Sequence, residues 1–523
     1  MKLKEVIRDC DFVRSSKDVE LAEDLDISGV AYDSRTVKEE YLFVAIKGEK
    51  FDGHNFIQNA IMQGACVIVH EQDTDAQSLV AGLRSAEGLA GLQSLFFIKA
   101  ENSRKALACI ANNFYERPSE HLMLTGITGT NGKTTTTYIL KSVLEQWGRT
   151  VGLIGTIQYM IKDEVFSAVH TTPEAPEFQH LLRDMLESGC TDVISEVSSH
   201  ALEQYRVDGA VFHSAVFTNL TRDHLDFHKT MDGYFLAKKR LFTDLVACGG
   251  AAVINTDDAF GKDLYDDLLP LSQPPLRLNV LSYGLQPEAD IMACDIDNSF
   301  QGLRFRAVCQ GKSLDISSPL VGMTNVYNIL AAIGAAVSLN VPDEFIIKGI
   351  RILKPVPGRF EKIDLGQTFL CVVDYAHTED ALDRLISTAR ELLQKSPVSG
   401  KIITVFGCGG DRDRGKRPSM GAVATGYSDF VFITSDNPRS EEPGDIIRDI
   451  EAGTVRNNYL VVPDRRDAIL KAIGMAEAGD IVLIAGKGHE DYQEIRGARL
   501  PFSDREVAVE AIRERMQNAS ADL

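Results

Sequence analysis

Gly129-Thr130-Asn131-Gly132-Lys133-Thr134-Thr135 follows the run LMLTGIT and precedes a segment in which Ile139, Leu140, Val143, Leu144 and Trp147 recur at helical spacing. Strand, glycine-rich turn and helix in that order predict a phosphate-binding loop. The glycines let backbone N–H groups converge on phosphate oxygens, and the helix N-terminus adds partial positive charge. Lys133 is placed to reach the β- and γ-phosphates of a nucleotide, and Thr134 to hold a magnesium ion. Ile127 stands where the first glycine of the GxxxxGK[ST] pattern would be. The alternative is a glycine-rich βα turn with an incidental lysine. Gly148 suits the position just past the helix end.

Working outward, the same unit recurs. DVISEVSSH (from Asp192), SAVFTNLTRDH (from Ser214) and AAVINTDD (from Ala251) follow in the middle of the chain. FLCVVDYAH (from Phe369), KIITVFGCGGDRD (from Lys401), DFVFITSDNPR (from Asp429) and DIVLIAGKGHE (from Asp480) follow in the last third. Short β-rich runs separated by helical lengths indicate parallel α/β sheets. Ligands in such sheets bind beyond the carboxyl ends of the strands, where every one of these polar clusters falls. A length of 523 residues suits three domains at about 100–200 residues each. Residues 1–98 form a small mixed α/β N-terminal domain without a phosphate loop. Residues 99–346 form a central P-loop-type domain with a mostly parallel sheet, and residues 347–523 a C-terminal Rossmann-like domain. KGIRILKPVPG, from Lys348, carries two prolines and a glycine and suits a hinge between the last two.

Composition narrows the partners. Fifty-five Lys and Arg against 75 Asp and Glu leave a net charge of −20, which disfavours nucleic acid and anionic membrane surfaces. Nine scattered cysteines without a CxxC pair read as reduced thiols of a cytoplasmic protein. MKLKEVIRDCDFV lacks a signal-peptide core, and no apolar run approaches the roughly 18 residues of a membrane span.

Further clusters carry chemistry. Glu196-Val197-Ser198-Ser199-His200 ends a strand where a carboxylate ligand for Mg²⁺ would sit, although Glu before two serines also caps helices or turns. Asp223-His224-Leu225-Asp226-Phe227-His228 places histidines at i and i+4, as zinc sites do, but lacks the glutamate of HExxH, so a zinc hydrolase is a competing class. Between Tyr234 and Phe242 a 100° step sets Lys238 inside the arc of Tyr234, Phe235, Leu241 and Phe242. A lysine there either snorkels or is buried with a lowered pKa. A neutral amine adds CO₂ to give a carbamate, a negatively charged oxygen ligand. In the last third, Gly407 to Arg417 combines glycines with four cations, suiting an anionic ligand. Asp436-Asn437-Pro438-Arg439 offers a guanidinium fork for a carboxylate, and Gly486 to Glu490 a flexible turn with an acid for an ammonium group.

Together these motifs, with Asp33-Ser34-Arg35, Thr171-Thr172-Pro173 and EVSSHALEQYRV, resemble the Mur ligases, ATP-dependent amide-forming enzymes of peptidoglycan precursor synthesis. The branch most resembled adds an amino acid to UDP-N-acetylmuramoyl-L-alanyl-D-glutamate; the middle motifs also fit folylpolyglutamate synthases. The resemblance implies that Ser34 and the Glu49-to-His54 stretch hold the uridine nucleotide. Thr171, Thr172, Ser198, Gln204 and Arg206 would line the muramoyl-dipeptide path. Gly129 to Thr135 would bind ATP, with Thr134, Glu196 and His224 near two Mg²⁺ ions and Lys238 carbamylated to N6-carboxylysine. Asn325, Arg359 and Asp374 would complete the nucleotide site. Arg412, Asp436, Asn437, Pro438, Arg439, Gly486 and Glu490 would read the incoming amino acid. His170 stands where this branch often has Asn. The DNPR pattern favours meso-diaminopimelate over L-lysine, because only the former has a distal carboxylate for Arg439. An acyl phosphate made from ATP would then be attacked by the amine, with Lys133 and Arg359 supplying charge, the C-terminal domain closing over the site, and the chain acting as a monomer. A P-loop kinase or ATPase would explain the loop alone, without the Arg439 and Glu490 clusters.

Overall fold

The computed structural model describes residues 1–10, 13–14, 24–48, 51–72 and 95–521. Its first sheet contains β1 (Val13–Arg14), β2 (Gly29–Ala31), β3 (Tyr41–Val44), β4 (Ala65–His70) and β5 (Phe96–Ala100), in the order β1-β5-β4-β3-β2 and parallel except at β1. The helix Ser103–Phe114 buries Ala106, Leu107, Ile110 and Ala111 against Leu42, Val44, Val67, Val69 and Ile98 of this sheet. Apolar side chains at helical spacing thus tie the helix to the N-terminal domain. The expected boundary at residue 98 falls inside β5, and the N-terminal unit runs on through that helix.

The central sheet contains β6 (Met123–Thr128), β7 (Val151–Ile154), β8 (Gln158–Ile161), β9 (Glu164–Ser167), β10 (Asp192–Glu196), β11 (Phe212–Phe217), β12 (Val246–Asn255), β13 (Asn279–Gly284), β14 (Ile291–Ser299), β15 (Gly302–Cys309) and β16 (Lys312–Ser318). Their order is β16-β15-β14-β13-β12-β11-β6-β10-β7-β8-β9. Pairing is parallel from β7 to β14, and antiparallel meanders close both ends. The inner strands are continuous apolar runs because helices cover both faces, as parallel sheets require. β6 lies between β10 and β11, so the turns leaving these three strands converge.

The last main sheet contains β17 (Glu361–Ile363), β18 (Leu370–Asp374), β19 (Ile402–Phe406), β20 (Phe430–Ile433), β21 (Tyr459–Val461) and β22 (Ile481–Ala485), ordered β17-β18-β22-β19-β20-β21 and parallel except at β17. A hairpin of β23 (Tyr492–Ile495) and β24 (Ala498–Pro501) follows. β22 lies between β18 and β19, which brings the turns after Asp374, Phe406 and Ala485 together. The expected boundary at 346/347 falls inside the helix Asp343–Arg351. That helix stays with the central domain: Ser142 Oγ donates to Gly349 O at 2.8 Å, and a Cβ at Gly349 would lie 2.5 Å from Val143 Cα. The chain leaves for the last sheet only beyond it.

One expectation about the cysteines is corrected. Cys10 and Cys109 form a disulfide, their Cα atoms 6.0 Å apart, because the helix Ser103–Phe114 packs beside the N-terminal helix Leu3–Val6. Sequence separation hid that proximity. The other seven cysteines are free.

Candidate active site

The loop after β6 is shaped by contacts that exclude any side chain at its glycines. A Cβ on Gly129 would lie 1.9 Å from Thr218 Oγ1, and one on Gly132 2.3 Å from Asn328 Oδ1, both at positive φ. The turn after β11 braces it: Thr130 N donates to Asn219 O at 2.8 Å, Asn131 N to Asn219 Oδ1 at 2.9 Å, and Thr218 Oγ1 to Asn131 O at 2.6 Å. Gly132 then caps the helix Lys133–Gln146, whose Ile139, Leu140, Val143 and Leu144 are buried while Trp147 is half-buried. Gly148 follows at φ +82, as expected of the residue past the helix end.

Behind the loop, Glu196 is 1% exposed and gathers neutral donors. Thr134 Oγ1 donates to its Oε2 at 3.0 Å, Thr156 Oγ1 to Oε2 at 2.9 Å and Thr156 N to Oε1 at 3.0 Å. Its backbone carbonyl accepts Thr172 Oγ1 at 2.8 Å, and Thr172 Oγ1 also accepts Ser198 N at 3.0 Å. Thr171 lies 3.1 Å from Thr156 Oγ1, while Arg206 binds Thr172 O, Gln204 Oε1 and Glu174. The structure therefore brings Thr134, Glu196, Thr171, Thr172, Ser198, Gln204 and Arg206 into one cluster. Ser34 is buried, two residues after Tyr32, whose hydroxyl donates to Glu177 at 3.2 Å. Glu49 and Lys50 lie outside the described residues. His170 is exposed, and its carbonyl accepts Tyr159 OH at 2.6 Å.

Lys238 is 1% exposed on the helix Met231–Arg240. Its Nζ donates to Gly129 O at 2.9 Å, the carbonyl that Lys133 Nζ also reaches at 2.9 Å. Burial first, then the neighbouring Lys133 charge, pushes its pKa well below the ordinary lysine value. The Tyr234 ring lies beneath its Nζ at 4.7 Å and 6.1 Å from the His224 ring. His224 does not begin a two-turn helix with His228: it adopts φ +54 and precedes the single turn Leu225–His228. The rings of His224 and His228 instead pack on His200 at 4.7 and 5.4 Å. Among the described residues no group of three or more His, Cys, Asp or Glu is arranged around a metal position.

The C-terminal domain reaches this cluster directly. Arg359 Nη2 donates to Thr134 Oγ1 at 3.3 Å, with its guanidinium 4.7 Å from the Tyr375 ring. Asn131 Nδ2 donates to Asp380 at 2.9 Å. Asp374 is held by Phe360 N and Ala376 N, and burial raises its pKa. Asn325 turns away: it donates to Val321 O and accepts from Asn328 Nδ2, so Asn328 is the residue facing the loop. Beside the loop, a cavity of about 200 Å³ is lined by Asn131, Thr218, Asn255, Tyr283, Asn328 and Arg384.

The turns around β22 form the other half. Asn437 Nδ2 donates to Glu490 Oε2 at 2.8 Å, while buried Lys487 donates to Asn437 Oδ1 and Glu490 Oε2 at 3.1 and 2.9 Å. A Cβ on Gly486 would lie 2.7 Å from Asp436 Oδ2, and one on Gly410 2.0 Å from Pro438 O. Arg439 adopts φ +51, donates to Gly410 O at 2.7 Å and lies 3.3 Å from Glu494. Of the four cations expected for an anionic ligand, three serve the fold. Arg417 is fully buried against Glu441 and Asp449, Arg414 binds Asp449, and Lys416 holds His377 O. Arg412, exposed like Arg414, lies beside Gly409.

Thr156, Thr218, Asn219, Asn328 and Lys487 were not singled out from the sequence. Two signals were available: the TN after β11 is itself a strand-end turn, and Lys487 sits inside GKGHE.

Residues 26–115, 127–336 and 358–488 match, respectively, the Mur ligase family catalytic domain, the Mur ligase middle domain and the Mur ligase glutamate ligase domain. The chain is 47% identical over 494 residues to the UDP-N-acetylmuramoyl-L-alanyl-D-glutamate--2,6-diaminopimelate ligase of Solibacter usitatus, covering 93% of this chain and 94% of that one. It is 41% identical to the protein of the same name from Clostridium tetani, covering 98% and 100%. A solved structure of a UDP-N-acetylmuramoyl-L-alanyl-D-glutamate--2,6-diaminopimelate ligase superposes with a TM-score of 0.67 at 32% identity, covering 99% of both chains.

Proposed function

Since this chain belongs to the Mur ligase family, we propose that it joins meso-2,6-diaminopimelate to the D-glutamate of UDP-N-acetylmuramoyl-L-alanyl-D-glutamate, consuming ATP in peptidoglycan precursor synthesis. The observation that carries this reading is Glu196. Its carboxylate meets the phosphate-loop hydroxyl of Thr134, and its own carbonyl holds Thr172. Phosphoryl transfer and the acceptor peptide thereby share one wall.

ATP places its phosphates on the Gly129–Thr135 loop and its nucleoside in the adjoining cavity. The D-glutamate side-chain carboxylate, set by Thr171, Thr172, Ser198 and Arg206, attacks the γ-phosphorus. ADP departs and an acyl phosphate remains. Positioning and charge neutralisation dominate such a step, and Lys133 and Arg359 supply both. The amine of diaminopimelate adds to the acyl carbon, and the tetrahedral intermediate expels phosphate to leave the amide. Arg439 pairs with the distal carboxylate in place of Glu494, while Asn437 and Glu490 hold the distal ammonium group.

The residues fit magnesium. Thr134 and Glu196 present hydroxyl and carboxylate oxygens 3.0 Å apart, a donor set suited to a hard cation. They would hold one ion, and His224 with carbamylated Lys238 a second; bound there, Mg²⁺ offsets phosphate charge. Lys238 supports the carbamate reading because it is buried on an apolar helix face with no acidic partner in hydrogen-bond reach among the described residues.

Phosphate release with the UDP-dipeptide, ATP and one amino acid at a time tests the reading. Release with diaminopimelate and little with L-lysine is expected. Release with lysine alone would overturn the assignment of Arg439, and release without any amino acid would favour a simple ATPase.

A further inference from the structure

His489 lies at the seam of the two half-sites and has no role in the chemistry described so far. It follows the turn that carries Lys487 and precedes Glu490, on the amino-acid side. Its backbone N is so close to the linker that a Cβ on Gly358 would lie 2.2 Å away. Its ring packs 5.1 Å from the Tyr375 ring, the same ring that carries the Arg359 guanidinium. The ring also lies close to the backbone of Thr156, whose hydroxyl binds Glu196. One side chain of the C-terminal domain thus stands between the amine-binding turn and the phosphate wall.

Its Nδ1 is buried and has no hydrogen-bond partner among the described residues. A buried polar atom left unpaired costs stability, so its retention calls for a ligand atom. With the proton on Nε2, the neutral tautomer leaves a lone pair on Nδ1. A lone pair takes a donor, and the donor due at this seam is the N–H of the attacking amine. We propose that His489 is a catalytic residue whose Nδ1 accepts that N–H and removes its proton as the amide forms. The proposal rests on the ligase reading above. The amine enters neutral, having released its first proton to solvent before the site closes. As the C–N bond forms, one N–H proton passes to Nδ1. As the C–O bond to phosphate breaks, that proton passes to the departing phosphate, and the imidazole is neutral again.

The surroundings keep it neutral between turnovers. Burial, and after it the charges of Arg359 and Lys487, hold the imidazole down at about 4, and Tyr375 and Glu490 are its other titratable neighbours.

The test separates the two halves of the reaction in the full-length protein. With UDP-dipeptide and ATP but no amino acid, exchange of labelled ADP into ATP reports acyl-phosphate formation. With diaminopimelate, phosphate release reports the whole reaction. In His489→Ala, exchange should stay near the parent rate while kcat for amide formation falls about 100-fold, the scale of general-base catalysis. Added imidazole should restore part of the loss. His489→Gln keeps an acceptor oxygen without a basic nitrogen, so its KM for diaminopimelate should hold while kcat falls. Parent-like kcat in either variant, or equal loss of exchange and amide formation in both, would overturn the proposal. If the parent protein itself releases no phosphate with these substrates, the ligase reading falls first and this proposal with it.

Discussion

Replacing Lys238 by alanine probes the charge beside the phosphate loop. Lys133 and Lys238 each donate to Gly129 O at 2.9 Å. Their nitrogens are therefore no more than about 6 Å apart, a spacing at which two unit charges interact by about 3 kcal/mol at an effective dielectric constant of about 20. Two ammonium groups would repel by that amount, whereas a carbamate on Lys238 would attract Lys133 by a similar one. Loss of that attraction predicts a fall of about 100-fold in kcat/KM for Lys238→Ala. Phosphate release measured in CO₂-depleted and bicarbonate-supplied buffer is the assay. The parent should lose activity on depletion, and ¹³C-bicarbonate should give a carbamate resonance that Lys238→Ala lacks. A short carboxylic acid should restore part of the variant's activity by replacing the missing anion. Full activity of Lys238→Ala without CO₂, or an active parent with no carbamate resonance, would refute the charge reversal.

Arg465 and Asp504 are both fully buried and paired through two contacts of 2.7 Å, with Arg465 also holding Ala485 O at the end of β22. Arg465→Met leaves a buried carboxylate unpaired and should destabilise the C-terminal domain by about 3–5 kcal/mol in urea unfolding, while adding Asp504→Leu should recover part of that loss. Gly132→Ala should abolish nucleotide binding measured by calorimetry, because the new methyl would stand 2.3 Å from Asn328 Oδ1 at a positive φ. His377 and His489 are held at about 4 by burial, against 6.5 for an ordinary histidine. Below the ordinary value the unfolded chain binds protons that the fold rejects, so urea midpoints should drop as pH falls from about 6.5 to about 4. His377→Gln should flatten that slope.

The strand ends were legible because each parallel strand is a short apolar run closed by a polar turn, and side-chain period alone marks such runs. The Gly129–Thr135 loop and Glu196 follow from turns at the ends of the neighbouring strands β6 and β10, the Asn437–Glu490 contact from the turns after β20 and β22, and buried Lys238 from the helical arc it shares with Tyr234 and Phe242. The partners of a cation were not legible. Arg417 reads like a ligand for an anion, yet its carboxylates, Glu441 and Asp449, arrive 24 and 32 residues later, in and just before the helix Pro443–Glu451. Only tertiary packing reveals that pairing. The side of the linker on which its first helix belongs was not legible for the same reason. The prolines and glycine mark a turn, but the bond from Ser142 to Gly349 decides which domain keeps the preceding helix. The Cys10–Cys109 pair likewise depends on two helices meeting across 99 residues.

The tight contact of Gly358 with Gly488 and His489 makes the linker and the amine-binding turn a single mechanical part. Arg359, next in the chain, must travel with it. Under the proposed chemistry, any swing that opens the site to water also withdraws the guanidinium needed to transfer phosphate. Fuel is then spent only while the part that presents the nucleophile is seated. The domain junction works as an interlock against wasted ATP.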